Sequence, residues 1–75
     1  MSNGTRKITR DRRVVKILNW IISNIKIGEE FKAIDIAKKF NLTTNDVVRT
    51  FPRINGIKNI GVGIWTVFEY PTLGD

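Results

Sequence analysis

The sequence predicts an α+β domain of three helices followed by a C-terminal β-hairpin, and three observations carry that expectation. The first is a pair of apolar stripes at helical spacing. Ala33, Ile36, Ala37 and Phe40 recur at i, i+3, i+4 and i+7, and Val47, Phe51 and Ile54 follow at i, i+4 and i+7. The second is the punctuation between the stripes, where Asn41 interrupts, Leu42 offers an apolar plug and Thr43 stands where a helix N-cap is needed. The third is the stretch beyond Gly56. There Ile57–Ile60 and Ile64–Tyr70, rich in β-branched and aromatic residues, flank Gly61-Val62-Gly63, the signature of a hairpin.

The first helix is expected to begin near Thr9 and to run to about Ile25. Val14, Ile17, Leu18, Ile21, Ile22 and Ile25 give it a wide apolar face, and Gly28 supplies a stop. Residues 1–8 read as a flexible basic arm and 9–70 as the folded domain. Trp20 falls beside Lys16, Ser23 and Asn24 rather than in the apolar arc. It is either a boundary residue or part of a subunit contact. Glu29, Glu30 and Phe31 read as a short first strand with Phe31 turned inward.

The second helix, over 33–40, begins after Lys32, which cannot cap it. Asp35 in its first turn compensates through the helix dipole. The third begins at Thr43, with Asp46 in capping-box position. Turning roughly 100° per residue, it sends Asn45, Arg49 and Arg53 away from the buried stripe, with Thr44 and Val48 at the border. Pro52 cannot donate the i−4 bond, so regular helix is expected to end near Phe51 and to leave Arg53 on a looser turn. In the hairpin Trp65 and Val67 are expected to face the core. Ile64, Phe68 and Tyr70 would lie on the opposite face or beyond the sheet's end, and 71–75 would be a tail.

With 75 residues the chain is one small domain, and 41% hydrophobic residues fits a folded one. It has no cysteine and no histidine, which removes disulfides, thiolate nucleophiles and Cys/His zinc sites. The lack of cysteine fits an intracellular setting. No apolar run approaches the ~18 residues of a membrane span. The acids are scattered at caps and surface positions, and no helix follows Gly61-Val62-Gly63 to receive a phosphate, so an enzyme is not expected. No cofactor, metal site or small-molecule ligand is evident. The net charge of +6 is concentrated at Arg6, Lys7, Arg10, Arg12, Arg13 and Lys16, opposed there only by Asp11. Such an arm suits a polyanion; it reads equally as a solvated tail.

The stretch Leu42, Thr43, Val47, Arg49, Phe51 and Ile54 resembles the winged helix-turn-helix family of DNA-binding domains, whose pattern is L-[ST]-x-x-x-V-x-[RK]-x-L-x-x-L. The likeness continues through Gly56–Val67, which is similar to the family's wing, and covers nearly the whole chain after its basic start. Lys32, Ile34 and the apolar wing tip at Val62 depart from the family's usual residues.

The resemblance implies a sequence-specific regulator of transcription that binds double-stranded DNA in the major groove through its third helix, most simply a repressor. It further implies base contacts from Thr44, Asn45, Val48, Arg49 and Arg53. Phosphate contacts would come from Lys38, Lys39 and Lys58, while Arg6, Lys7 and Arg10 on the arm would follow the backbone or enter an adjacent minor groove. The spare apolar surface at Trp20, Ile34, Phe68 and Tyr70 points to a homodimer, expected in the cytoplasm on the nucleoid. The chain looks like the small regulators of archaea, their viruses or their plasmids. Two other readings stay open: a winged-helix protein-interaction module of a transcription or replication assembly, and a nucleoid-type protein that coats DNA without sequence preference.

Overall fold

The structure, a computed structural model, describes the backbone of residues 2–74 and the side chains of residues 12–74. Its elements in chain order are α1 (Ser2–Asn24), β1 (Glu30–Lys32), α2 (Ala33–Phe40), α3 (Thr44–Thr50), a 3₁₀ turn (Phe51–Arg53), β2 (Ile54–Gly61) and β3 (Ile64–Leu73). The strands form one antiparallel sheet in the order β1-β3-β2, so the last strand is the central one. The fold is therefore α+β, three helices with a three-stranded sheet.

Helix α1 buries Val14, Ile17, Leu18 and Ile21, one stripe at i, i+3, i+4 and i+7. It is longer at its start than expected, because the backbone of the segment read as a flexible arm is already helical from Ser2. From Arg6 onward Arg and Lys are good helix formers and the run contains no proline, whereas the propensities of Ser2, Asn3, Gly4 and Thr5 do not account for the first turn. Arg12 and Arg13 consequently lie well inside the helix. The helix ends at Asn24, whose Nδ2 donates to the Trp20 carbonyl at 2.8 Å. Gly28, at φ 94, turns the chain and donates its N–H to the Val67 carbonyl at 2.7 Å, which aligns β1 beside β3. Phe31 is then buried opposite Trp65, while Glu30 and Lys32 face outward.

Helix α2 starts without a side-chain cap at Lys32 and carries Asp35 in its first turn, as expected. Ala33, Ile36 and Ala37 are buried and Phe40 is half-buried. Asn41 closes the helix in the left-handed conformation, φ 56, which asparagine tolerates better than most residues. The Leu42 N–H reaches back to the Ala37 carbonyl at 2.8 Å in the six-to-one bond of a Schellman ending. The Thr43 side chain accepts from the Asp46 N–H at 3.1 Å and starts α3. Thr43→Ala leaves that N–H without its partner and should lower stability by about 1 kcal/mol. Urea denaturation with an unchanged m-value would measure the loss.

Regular helix stops at Thr50 and the Pro52 segment tightens to 3₁₀ geometry. Phe51 joins three elements: its ring meets Phe31 edge-on at 5.9 Å and Trp65 at 4.8 Å. Val67 is fully buried and Trp65 half-buried, both facing the core as expected. Ile54 is buried too, but as the first residue of β2 rather than as the end of a helical stripe.

The hairpin departs most from expectation at its base. Asn55 and Ile57 of β2 pair with Thr72 and Val67 of β3, so Gly56 alone stands opposite Phe68, Glu69, Tyr70 and Pro71. This wide bulge holds Phe68 and Tyr70 out in solvent and turns Pro71 inward. Bulges are where a strand accommodates proline. The segment read as a tail from residue 71 thus continues β3 to Leu73, and the Gly74 N–H donates to the Arg53 carbonyl at 2.6 Å.

Candidate nucleic-acid interface

The two short helices α2 and α3 present their outer faces on either side of the Asn41–Thr43 turn. On α3, Val47 and Thr50 point inward. The Thr50 hydroxyl donates to the Val47 carbonyl at 2.7 Å, so its polarity is spent inside the helix. Thr44, Asn45 and Arg49 are exposed, with Val48 half-buried between the two faces. At 1.5 Å per residue the helix is roughly 10 Å long, two turns that can engage only a few base steps. Lys38 and Lys39, in the last turn of α2, are exposed. Two carboxylates are equally near in sequence to these cations: exposed Asp35, three residues before Lys38, and half-buried Asp46, three before Arg49.

The remaining basic residues expected at this interface behave differently. Arg53 is half-buried on the 3₁₀ turn and already holds an interaction within the chain. Lys58 is exposed, but its Nζ lies 5.7 Å from the centroid of the Phe68 ring, a cation–π distance that ties it to the hairpin's outer face. The tip beyond it is apolar, with Val62 fully exposed. Arg6, Lys7 and Arg10 lie outside the residues whose side chains are described.

The apolar residues expected at a subunit contact also separate. Ile34, Phe68 and Tyr70 are 48%, 50% and 63% exposed, whereas Trp20 is half-buried and packs against the core. Ile60, on the hairpin, is exposed as well.

One feature has no counterpart among the expectations from sequence: a cleft of about 360 Å³ between α1 and the α2–α3 turn. Arg12, Arg13 and Lys16 line it together with Ile17, Phe40 and Leu42. The basic residues were visible as a charge run. Their meeting with Phe40 and Leu42 depends on how α1 crosses the turn, which no local pattern encodes.

Among the described residues no group of three or more Asp, Glu, His or Cys could hold a metal ion. No helix among them is long and apolar enough to cross a membrane. No protein-family model matches the chain, and neither a curated protein nor a solved structure matches it.

Proposed function

We propose that the chain is a winged helix-turn-helix protein that binds double-stranded DNA sequence-specifically and regulates transcription, as a repressor that occupies its site. The observation that carries this reading is the pair α2–α3. Both helices are seated on the core by their inner stripes, α2 closed by Asn41 and α3 opened by Thr43, while Thr44, Asn45 and Arg49 stand exposed on α3 and Lys38 and Lys39 in the last turn of α2. The order of three helices and then a β-hairpin, with a short strand before α2, is compatible with that family. In this reading α3 enters the major groove. Arg49 pairs with the O6 and N7 acceptors of a guanine and Asn45 with the N6 and N7 of an adenine, while Val48 or the Thr44 methyl meets a thymine methyl. Lys38 and Lys39 hold backbone phosphates, which fix register without specifying sequence. Arg53 and Lys58, already engaged within the chain, are lesser contributors.

A two-turn helix reads few bases, so specific binding by this module calls for two copies on paired half-sites. Exposed Ile34, Phe68 and Tyr70 are the surfaces we assign to such a homodimer, with Trp20 at its margin. Sedimentation of the free and DNA-bound protein tests that assignment.

Fluorescence anisotropy over a salt series, first on a random duplex pool and then on selected sequences, tests the main reading. Arg49→Ala is expected to lose about 1–3 kcal/mol of discrimination on the selected site. Replacing Lys38 and Lys39 together should weaken all sequences alike and flatten the slope of log K against log salt by about 0.9 for each phosphate no longer neutralised. Indifference to Arg49→Ala combined with loss on removing the first seven residues would identify a non-specific coat. Absence of binding at low salt would assign the domain to protein partners. That second reading would draw on the hairpin's exposed Ile60 and its apolar tip at Val62.

A further inference from the structure

We propose that the cleft between α1 and the α2–α3 turn is a binding site for a small amphiphilic anion. Arg12, Arg13 and Lys16 would hold its acidic head, a carboxylate or phosphate, and its apolar body would lie over Phe40 and Leu42 with Ile17 beneath.

The site combines two properties. The first is concentrated positive charge. Arg12, Arg13 and Lys16 are exposed and share one helical face, and among the described residues no carboxylate lines the cleft. Arg presents a planar fork suited to a carboxylate or phosphate, and Lys adds a point charge. The second is an apolar floor that is concave and not filled from within the chain. Phe40 and Leu42 are half-buried against the core, so part of each ring and chain borders the cleft, and Ile17 below them is fully buried.

The volume, about 360 Å³, falls at the low end of the ~300–1,000 Å³ typical of small-molecule pockets. Those features select among anions. A DNA backbone is served by a convex cationic surface and has no apolar body to place on Phe40 and Leu42. A free inorganic ion would use the charges and leave the floor wet. An amphiphile of medium length uses both: burial of its chain supplies affinity in proportion to apolar area, and the cations fix its head. The cleft lies on the α1 side of the turn, apart from the outward face of α3, so this site does not depend on the DNA-binding reading.

The test is a titration of the full chain with sodium decanoate, kept below its micellar concentration and followed through backbone amide shifts, with acetate and decanol as the head and the tail alone. Decanoate is expected to shift Arg13, Lys16, Phe40 and Leu42 saturably. Acetate and decanol should each bind at least about tenfold more weakly. Arg13→Ala combined with Lys16→Ala should weaken decanoate by about tenfold or more, with decanol binding and the thermal midpoint unchanged, since both side chains are exposed. Equal binding of decanol and decanoate would overturn the proposal, as would saturable shifts centred on Phe68 and Tyr70, or no saturable shift at all. A short DNA duplex that shifts the same residues and loses affinity in the double variant, while decanoate does not bind, would reassign the cleft to phosphate of the backbone and so also overturn it. None of these outcomes bears on whether Arg49 contacts DNA.

Discussion

Replacing Gly56 with alanine is expected to destabilise the domain by about 2–5 kcal/mol, from two separate costs. The backbone at Gly56 has φ 93, a conformation that side chains rarely adopt. A Cβ there would also stand 2.7 Å from the Glu69 carbonyl oxygen and 3.1 Å from both the Pro71 Cα and the Tyr70 carbonyl oxygen. All three neighbours are backbone, so no side chain can swing aside; the bulge itself must open. A chain of this length has a total stability of roughly 4–11 kcal/mol, of which the loss is a large share.

Gly63 provides the comparison. Its φ is 71, but nothing lies within 4 Å of its missing Cβ. Gly63→Ala should therefore carry only the conformational term, about 1–2 kcal/mol. Urea denaturation of both variants separates strain from collision. Equal losses would mean that β3 does not pass over Gly56 as closely as it does here.

That bulge also marks where the sequence stops being legible. The helical pair α2–α3 could be read because its determinants are local. Ala33, Ile36 and Ala37 are buried together one turn apart, and Thr43 and Asp46 cap a helix within a single turn. Phe31 and Val67 announce their strands by residue type and are buried where expected. At Pro71 the local signal points the wrong way. Proline lacks the N–H that a strand's ladder uses, and it ordinarily ends the strand. Here Gly56, distant in sequence, lets four residues of β3 pass opposite one, and the chain resumes pairing at Thr72 and Leu73.

Ile54 shows the converse. Its burial was expected at seven residues from Val47, yet it is reached through a 3₁₀ turn and the first position of β2. Position in the core was legible; the element that delivers it was not. The cleft was hidden for the same reason as the bulge, since Arg12, Arg13 and Lys16 meet Phe40 and Leu42 only after α1 is laid across the turn. Of the expected interface, α3 leaves Thr44, Asn45 and Arg49 outward because the 3.6-residue period settles that. The engagement of Lys58 by Phe68 rests on a cross-strand diagonal and could not be read from spacing within one strand.

Truncating Ile36 should separate the framework from the surface it supports. Ile36 is fully buried in α2, in one core cluster with Ile17, Val47 and Val67. Ile36→Ala removes apolar area and leaves a cavity that the surrounding elements fill only partly, a loss of about 2–5 kcal/mol; Ile36→Val should cost about 0.5–1.5 kcal/mol. In a domain this small the alanine variant is expected to be substantially unfolded on mild heating, while the valine variant stays folded at room temperature. On the proposed DNA-binding reading, because Asn45 and Arg49 are on the solvent side of α3, the valine variant should bind DNA as the wild type would once the folded fraction is accounted for. Arg49→Ala should do the reverse and lose affinity with unchanged stability, since its side chain is exposed. Urea denaturation and anisotropy on the same three proteins would show that crossing. If Ile36→Val weakened binding beyond its folded fraction, the outward face of α3 would depend on exact packing beneath α2. If Arg49→Ala cost stability and affinity together, Arg49 would be holding the fold, and the recognition role would pass to Asn45 and Thr44.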